Sequence, residues 1–161
     1  MIIIGIDPGL ATVGFGVLRK EKNTITPVSY GCIRTPAEKQ VPERLLEIYS
    51  EICTLLEKYA PSAVAVEILF FNKNVTNAMS VSEARGVIFL AVQQKSIPIF
   101  EYTPNQIKQA ITGSGRADKR QMQEMIKRLL NLDELPQPDD AADGLSIALC
   151  HINIIETGLC H

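Results

Sequence analysis

Four acidic residues stand where this chain is otherwise apolar or turning. Asp7 ends the run Ile2-Ile3-Ile4-Gly5-Ile6. Glu67 falls inside Ala63-Val64-Ala65-Val66-Glu67-Ile68-Leu69, and Asp140 and Asp143 open a C-terminal apolar segment. A carboxylate on a buried strand is costly unless a cation or hydrogen-bond donors meet it. Asp140 and Asp143, at i and i+3, share one face of a helix. Two strand carboxylates and such a pair supply the oxygen ligands that one or two divalent ions require, and ions so held drive hydrolysis at phosphorus. The chemistry indicated is that of a metal-dependent nuclease.

Each residue alone also has a plainer use. Aspartate before Pro8-Gly9 is a common turn residue, and acids after Pro138 suit a helix N-terminus through capping and the dipole. Glu67 has no Lys or Arg following it before Lys73, so it is either protonated or shares a cation with Asp7 on a neighbouring strand. Asp143 lies too far into its helix for capping to explain it. Gly14 and Gly16, flanking Phe15 in a strand, read as room for close backbone approach by a ligand. The specificity lies in the cluster of four.

The elements that must position these residues follow from periodicity and punctuation. Ile2 to Ile6, Val13 to Leu18 and about Ile25 to Ile33 read as three strands in hairpin succession, with Asp7-Pro8-Gly9 as the first turn. Pro42 precedes a helix in which Leu45, Ile48, Ile52, Leu55 and Tyr59 recur at helical spacing. Ala63 to Leu69 is a fourth strand, apolar on both faces apart from Glu67, as a central parallel strand is. A helix from about Asn77 to Gln94 and a fifth strand at Pro98 to Tyr102 come next. Helices then run from Pro104 to Ile111, from Asp118 to Leu130, and from Asp140 to about Ile155. This order predicts an α/β fold of the ribonuclease H-like kind: one domain over residues 1–161, with a mixed five-stranded sheet flanked by helices.

Composition agrees with that class: 46% of the 161 residues are hydrophobic and 21% charged, an ordinary globular profile. No apolar stretch approaches the roughly 18 residues of a membrane span, and Met1 leads straight into a strand with no basic segment, so a cytoplasmic protein is expected. The net charge of −2 argues against nucleic acid only in bulk. Between Asn105 and Leu130, Lys108, Arg116, Lys119, Arg120, Lys127 and Arg128 face only Asp118 and Glu124, a basic segment able to hold phosphates. Cys32, Cys53, Cys150 and Cys160 have no CxxC spacing. Cys150-His151 is echoed by Cys160-His161, but a ten-residue offset is not a familiar zinc spacing, and a buried cysteine in an apolar helix is the plainer account.

Several segments run in order over nearly the whole chain: Gly5-Ile6-Asp7-Pro8-Gly9 with Gly14-Phe15-Gly16, Gly31-Cys32-Ile33-Arg34-Thr35, and Val66-Glu67 followed by Phe70. Ala84-Arg85-Gly86, Phe100-Glu101-Tyr102, Gln106-Ile107-Lys108-Gln109 and Asp140-Ala141-Ala142-Asp143 continue the series. In these the chain resembles the RuvC family of crossover (Holliday) junction endodeoxyribonucleases. The resemblance implies metal-binding and catalytic roles for Asp7, Glu67, Asp140 and Asp143, with two Mg²⁺ per subunit and Mn²⁺ as the alternative ion. It implies DNA contacts for Lys108 and Lys119 and a base-contacting role for Phe70, with Phe71 the alternative. Four-way junction DNA, a homodimer, and the branch-migration proteins RuvA and RuvB are the partners it implies.

An aromatic in the polar stretch after a strand end can stack on an unpaired base. Residue chemistry leaves three other readings open: a ribonuclease H-like nuclease acting on structured RNA or RNA–DNA hybrid, a non-cleaving junction-binding module, and an actin-like phosphotransferase, whose Asp-x-Gly start Asp7-Pro8-Gly9 shares.

Overall fold

Three antiparallel strands begin the molecule: β1 (Ile2–Asp7), β2 (Thr12–Glu21) and β3 (Thr24–Arg34). The computed structural model describes residues 1–68 and 75–158. After β3 the chain enters α1 (Val41–Tyr59), started by Pro42 and a capping box in which the Gln40 amide donates to Glu43 Oε2 at 2.9 Å. It then returns through β4 (Ala63–Glu67), α2 (Val75–Gln94) and β5 (Ile99–Tyr102). The remaining helices are α3 (Pro104–Thr112), α4 (Lys119–Leu129) and α5 (Asp139–Thr157).

The sheet order is β3-β2-β1-β4-β5, with β4 parallel to both β1 and β5. It is the mixed five-stranded α/β sheet that the sequence predicts. Several boundaries differ, two of them on either side of residues 69–74. The fourth strand closes at Glu67 instead of Leu69, because its partner β5 runs out at Tyr102, the register mate of Glu67. Glu67 therefore stands at a strand end, not inside the strand. The second long helix begins at Val75, two residues before Asn77.

Apolar side chains fill both faces of the sheet. On one, Ile4, Ile6, Val17, Val64 and Val66 meet Ile48, Ile52 and Leu56 of α1 and Ala84, Ile88 and Val92 of α2. On the other, Ile3, Leu18 and Ala65 meet Leu145, Ala148 and Leu149 of α5, with Ile107, Ile111, Met122 and Ile126 from α3 and α4 completing the layer. From Ala141 to Ile152, α5 is buried at every position but Asp143, as befits a helix apolar all round.

Glycine decides how closely α5 can lie. A Cβ on Gly14 would fall onto the Asp140 carbonyl, one on Gly16 would come within 2.6 Å of Leu145 Cα, and one on Gly144 within 2.6 Å of Phe15 Cα. The sequence reading gave the close approach at Gly14 and Gly16 to a ligand. It is the backbone of α5 that occupies the space, since a helix and a ligand make the same demand on a strand glycine.

Candidate active site

Asp7 and Glu67 end adjacent parallel strands, Ile6 being paired with Val66, and so project from the same end of the sheet. Across them lies the first turn and a half of α5. Its N-cap is Pro138, which makes no side-chain cap, and Asp139 is turned to Gln123 Nε2 at 2.9 Å and Lys119 Nζ at 3.2 Å. Asp140 is thereby not the cap that a plain helix-start reading made it. Carboxylate oxygens of Asp7, Asp140 and Asp143 all come within 4.8 Å of one another.

Glu67 is outside that tight trio. It joins Asp7 and Asp143 instead in lining a cavity of about 270 Å³, whose other walls are Pro104 and Ile107 of α3, Met122 of α4 and Ser146 of α5. Lys108 and Lys119 complete the lining. A larger cavity of about 790 Å³ opens between the end of β3 and α1, but it holds none of the four acids, so the smaller one is the candidate site.

The electrostatics follow from crowding. Burial first, then the charges of Glu67, Asp143 and Asp140, push the Asp7 carboxyl up to about 7, and Lys119 pulls against them. Glu67 is likewise pushed up to about 7, by burial and by Asp143, with Lys108 opposing. Burial raises Asp143 as well, against Lys119. Burial works against the Lys119 ammonium, but Asp139, Asp143 and Asp140 outweigh it and its pKa rises.

This much clustered negative charge fits a resident cation. The donors are all hard carboxylate oxygens, the set that Mg²⁺, Mn²⁺ or Ca²⁺ takes and thiophilic metals do not prefer.

A stability signature follows from the same shifts. Between pH of about 4 and 7, folded Asp7 and Glu67 hold protons that the unfolded chain has released, so stability falls as pH rises through that window. Metal-free protein is therefore expected to melt several degrees lower at pH 8 than at pH 5. Millimolar Mg²⁺ should restore the loss at pH 8 and do little at pH 5. Thermal unfolding with chelator or Mg²⁺ checks this, and a metal-free melting point that climbs steadily from pH 5 to 8 would refute it.

A sequence model described as "Crossover junction endodeoxyribonuclease RuvC" matches residues 3–151. The chain belongs to the RuvC family. Among curated RuvC relatives, one from Desulfitobacterium hafniense is 53% identical over 155 residues, 96% of this chain and 94% of that protein. One from Brevibacillus brevis is 56% identical over 151 residues, covering 94% and 91%. A solved structure, Thermus thermophilus RuvC in complex with Holliday junction substrate, superposes with a TM-score of 0.93 at 33% identity, covering 98% of this chain and 96% of that one. The fold is thus the ribonuclease H-like fold of the RuvC family.

Of the residues expected at a RuvC site, Asp7, Glu67, Asp143, Lys108 and Lys119 line one cavity, with Asp140 beside them. Phe70 and its alternative Phe71 lie outside the described residues, as do Cys160 and His161. Cys150 and His151 are buried in α5, and the Tyr102 hydroxyl bonds His151 Nδ1 at 2.7 Å. The sequence reading gave no role to Cys32, whose thiol donates to Asp140 Oδ2 at 3.9 Å. Burial and the Asp140 charge raise the pKa of that thiol and keep it protonated. Its signal was its place in the Gly31–Thr35 segment, which carried the resemblance but no chemistry of its own.

Proposed function

We propose that this chain is a structure-selective endodeoxyribonuclease that resolves four-way DNA junctions by paired, metal-dependent phosphodiester hydrolysis, in recombination and repair. The observation that carries this reading is the convergence of Asp7, Asp140 and Asp143 within 4.8 Å, at a cavity lined by two lysines, in a chain matching the RuvC family over residues 3–151. Asp7, Glu67, Asp140 and Asp143 would hold two Mg²⁺, with Mn²⁺ able to replace them. Bound there, the ions supply Lewis-acid stabilisation of phosphate charge and a more acidic water, leaving 5′-phosphate and 3′-hydroxyl ends. The chain's own contribution is position. Lys108 and Lys119 hold phosphate oxygens at the cavity wall, and Phe70, three residues beyond Glu67, stacks on a base unstacked at the crossover.

The test is incubation of purified protein with a synthetic four-way junction, linear duplex and RNA–DNA hybrid, with and without Mg²⁺. Symmetric paired nicks confined to the junction and to the Mg²⁺ lanes are expected. Preferential cutting of the hybrid would replace this reading with a ribonuclease one. For the lysines, Lys108→Ala should weaken junction binding about three- to tenfold at low salt and flatten its salt dependence by about one phosphate contact. An unchanged salt slope in a binding titration would return Lys108 to a merely solvated charge.

A junction is two-fold symmetric and must be cut twice, so one site per subunit calls for a C2 homodimer, working in the cytoplasm on junctions held by RuvA and RuvB. The surface for it lies on α2. Ile88 and Val92 of that helix are buried in the chain's own core, whereas Met79 and Leu90 are 63% and 54% exposed. Leu90→Glu should yield monomers in sedimentation that lose paired incision. Monomers that still cut both strands symmetrically would contradict the assembly.

A further inference from the structure

We propose that Arg44 and the cavity beside it form a second backbone-phosphate site, one that grips the DNA strand on the far side of the β1–β2 loop from Lys108 and Lys119. The proposal rests on the reading above that the substrate is DNA. A cavity of about 440 Å³ is lined by Gly9, Leu10 and Ala11 of the loop that leaves Asp7, by Thr12 at the start of β2, by Arg44 of α1, and by Ser80 and Val81 of α2. Among the described residues it shares no lining with the carboxylate cavity, and its lining includes Arg44 and no carboxylate.

The guanidinium is held in a fixed attitude. Arg44 Nε donates to Thr35 Oγ1 at 2.8 Å, and that same hydroxyl donates to the Leu10 carbonyl at 2.5 Å. Thr35 is 6% exposed, and its amide donates to the Ala11 carbonyl at 3.1 Å. A buried hydroxyl thus ties the fork of Arg44 to the loop that carries Asp7. Nothing on α1 neutralises the charge: Glu43 Oε2 turns back to the Gln40 amide at 2.9 Å, and Glu47 pairs with Lys39. Among the described residues, Arg44 enters no ion pair and Nη1 has no acceptor.

An oriented, uncompensated guanidinium at a cavity wall matches the planar, two-point geometry by which arginine takes phosphate. A strand whose scissile phosphate lies at Asp7 must carry further phosphates in both directions along its backbone. Lys108 and Lys119 flank one side of Asp7, and the loop from Gly9 to Thr12 leads to Arg44 on the other. Each such phosphate anchor fixes position along the strand without reading bases.

The experiment is a salt titration of junction binding in chelator, where no cleavage occurs, for the parent protein, Arg44→Met and Arg44→Lys, with melting points alongside. Arg44→Met keeps the stem and removes the charge. The expected result is a salt slope reduced by about 0.9, the increment of one phosphate, and affinity lowered about three- to tenfold. Arg44→Lys should keep the slope while losing part of the affinity.

An unchanged slope would overturn the proposal, whether the melting point falls, which would make Arg44 a strut for the loop, or stays, which would make it a solvated cation. If Arg44→Met fails to fold, an unchanged affinity in Arg44→Lys would overturn it too. Failure of the junction reading would appear separately, as a parent protein that binds duplex as tightly as the junction.

Discussion

Asp7→Asn will abolish junction cleavage, by about three orders of magnitude or more, while binding in chelator is retained or tightened. The loss is that of a carboxylate shared by the whole cluster: Asp7 lies in the trio with Asp140 and Asp143 and also meets Glu67 across the strand pair. Removing it takes away a ligand from any cation held there, and such cations are worth several kcal/mol of transition-state stabilisation, each 1.36 kcal/mol being tenfold in rate. Binding does not suffer, because phosphate is repelled less once a negative charge is gone. The same variant should be more stable than the parent in chelator at pH 8, by about 2 kcal/mol. At that pH the parent must ionise a half-buried carboxyl whose pKa has been pushed up to about 7, and asparagine need not. Cleavage assays and melting curves on one preparation read both effects. A variant that cleaves normally, or that loses activity only because it has unfolded, would sink the assignment.

Gly14→Ala should lower cleavage about a hundredfold while costing about 1–3 kcal/mol of stability. Gly14 is the register partner of Asp7 on β2, and a methyl group there lands on the backbone of Asp140. Neither backbone has a flexible end that can swing aside. The helix must lift, and the carboxylates of Asp140 and Asp143 move away from Asp7 with it. A displacement of about 1 Å is enough for a hundredfold loss when geometry carries the rate. The variant should also need more Mg²⁺ for half-maximal rate, which a merely destabilised protein does not show below its melting point. Full cleavage by Gly14→Ala at the parental Mg²⁺ requirement would refute this account of the site.

Much of this arrangement was legible in the chain. Asp7 and Glu67 stood out because an acid in an apolar strand has no cheap resting place, and their pairing followed from the parallel neighbours that an alternating helix–strand order produces. Asp140 and Asp143 followed from helical spacing. What stayed hidden was how the carboxylates divide, three in a tight group and Glu67 to one side. That depends on the height and angle at which α5 crosses the sheet, set by contacts between Gly14 and Asp140 and between Gly16 and Leu145, pairs far apart in sequence. Local pattern identifies a strand glycine as a point of close approach but not what approaches it. The strand end at Glu67 was missed for a similar reason: it is fixed by where β5 stops, not by the residues of β4. Arg44 gave no local signal, and Thr35 only its place in the Gly31–Thr35 segment, because their partnership exists only once β3 and α1 fold back onto the β1–β2 loop.

The burial of α5 has a consequence for the life of the molecule in the cell. The helix that carries Asp140 and Asp143 follows all five strands along the chain, and it must seat itself against β1 and β2. Until that late docking, the strand acids have no helix acids facing them and no floor of backbone contacts to fix their separation. A chain in which α5 has not docked carries Asp7 and Glu67 without the two acids that complete the proposed site, and is expected not to cut. Placing two of the four proposed ligands on such a long-range contact makes completion of folding the safety catch for the cleavage proposed above.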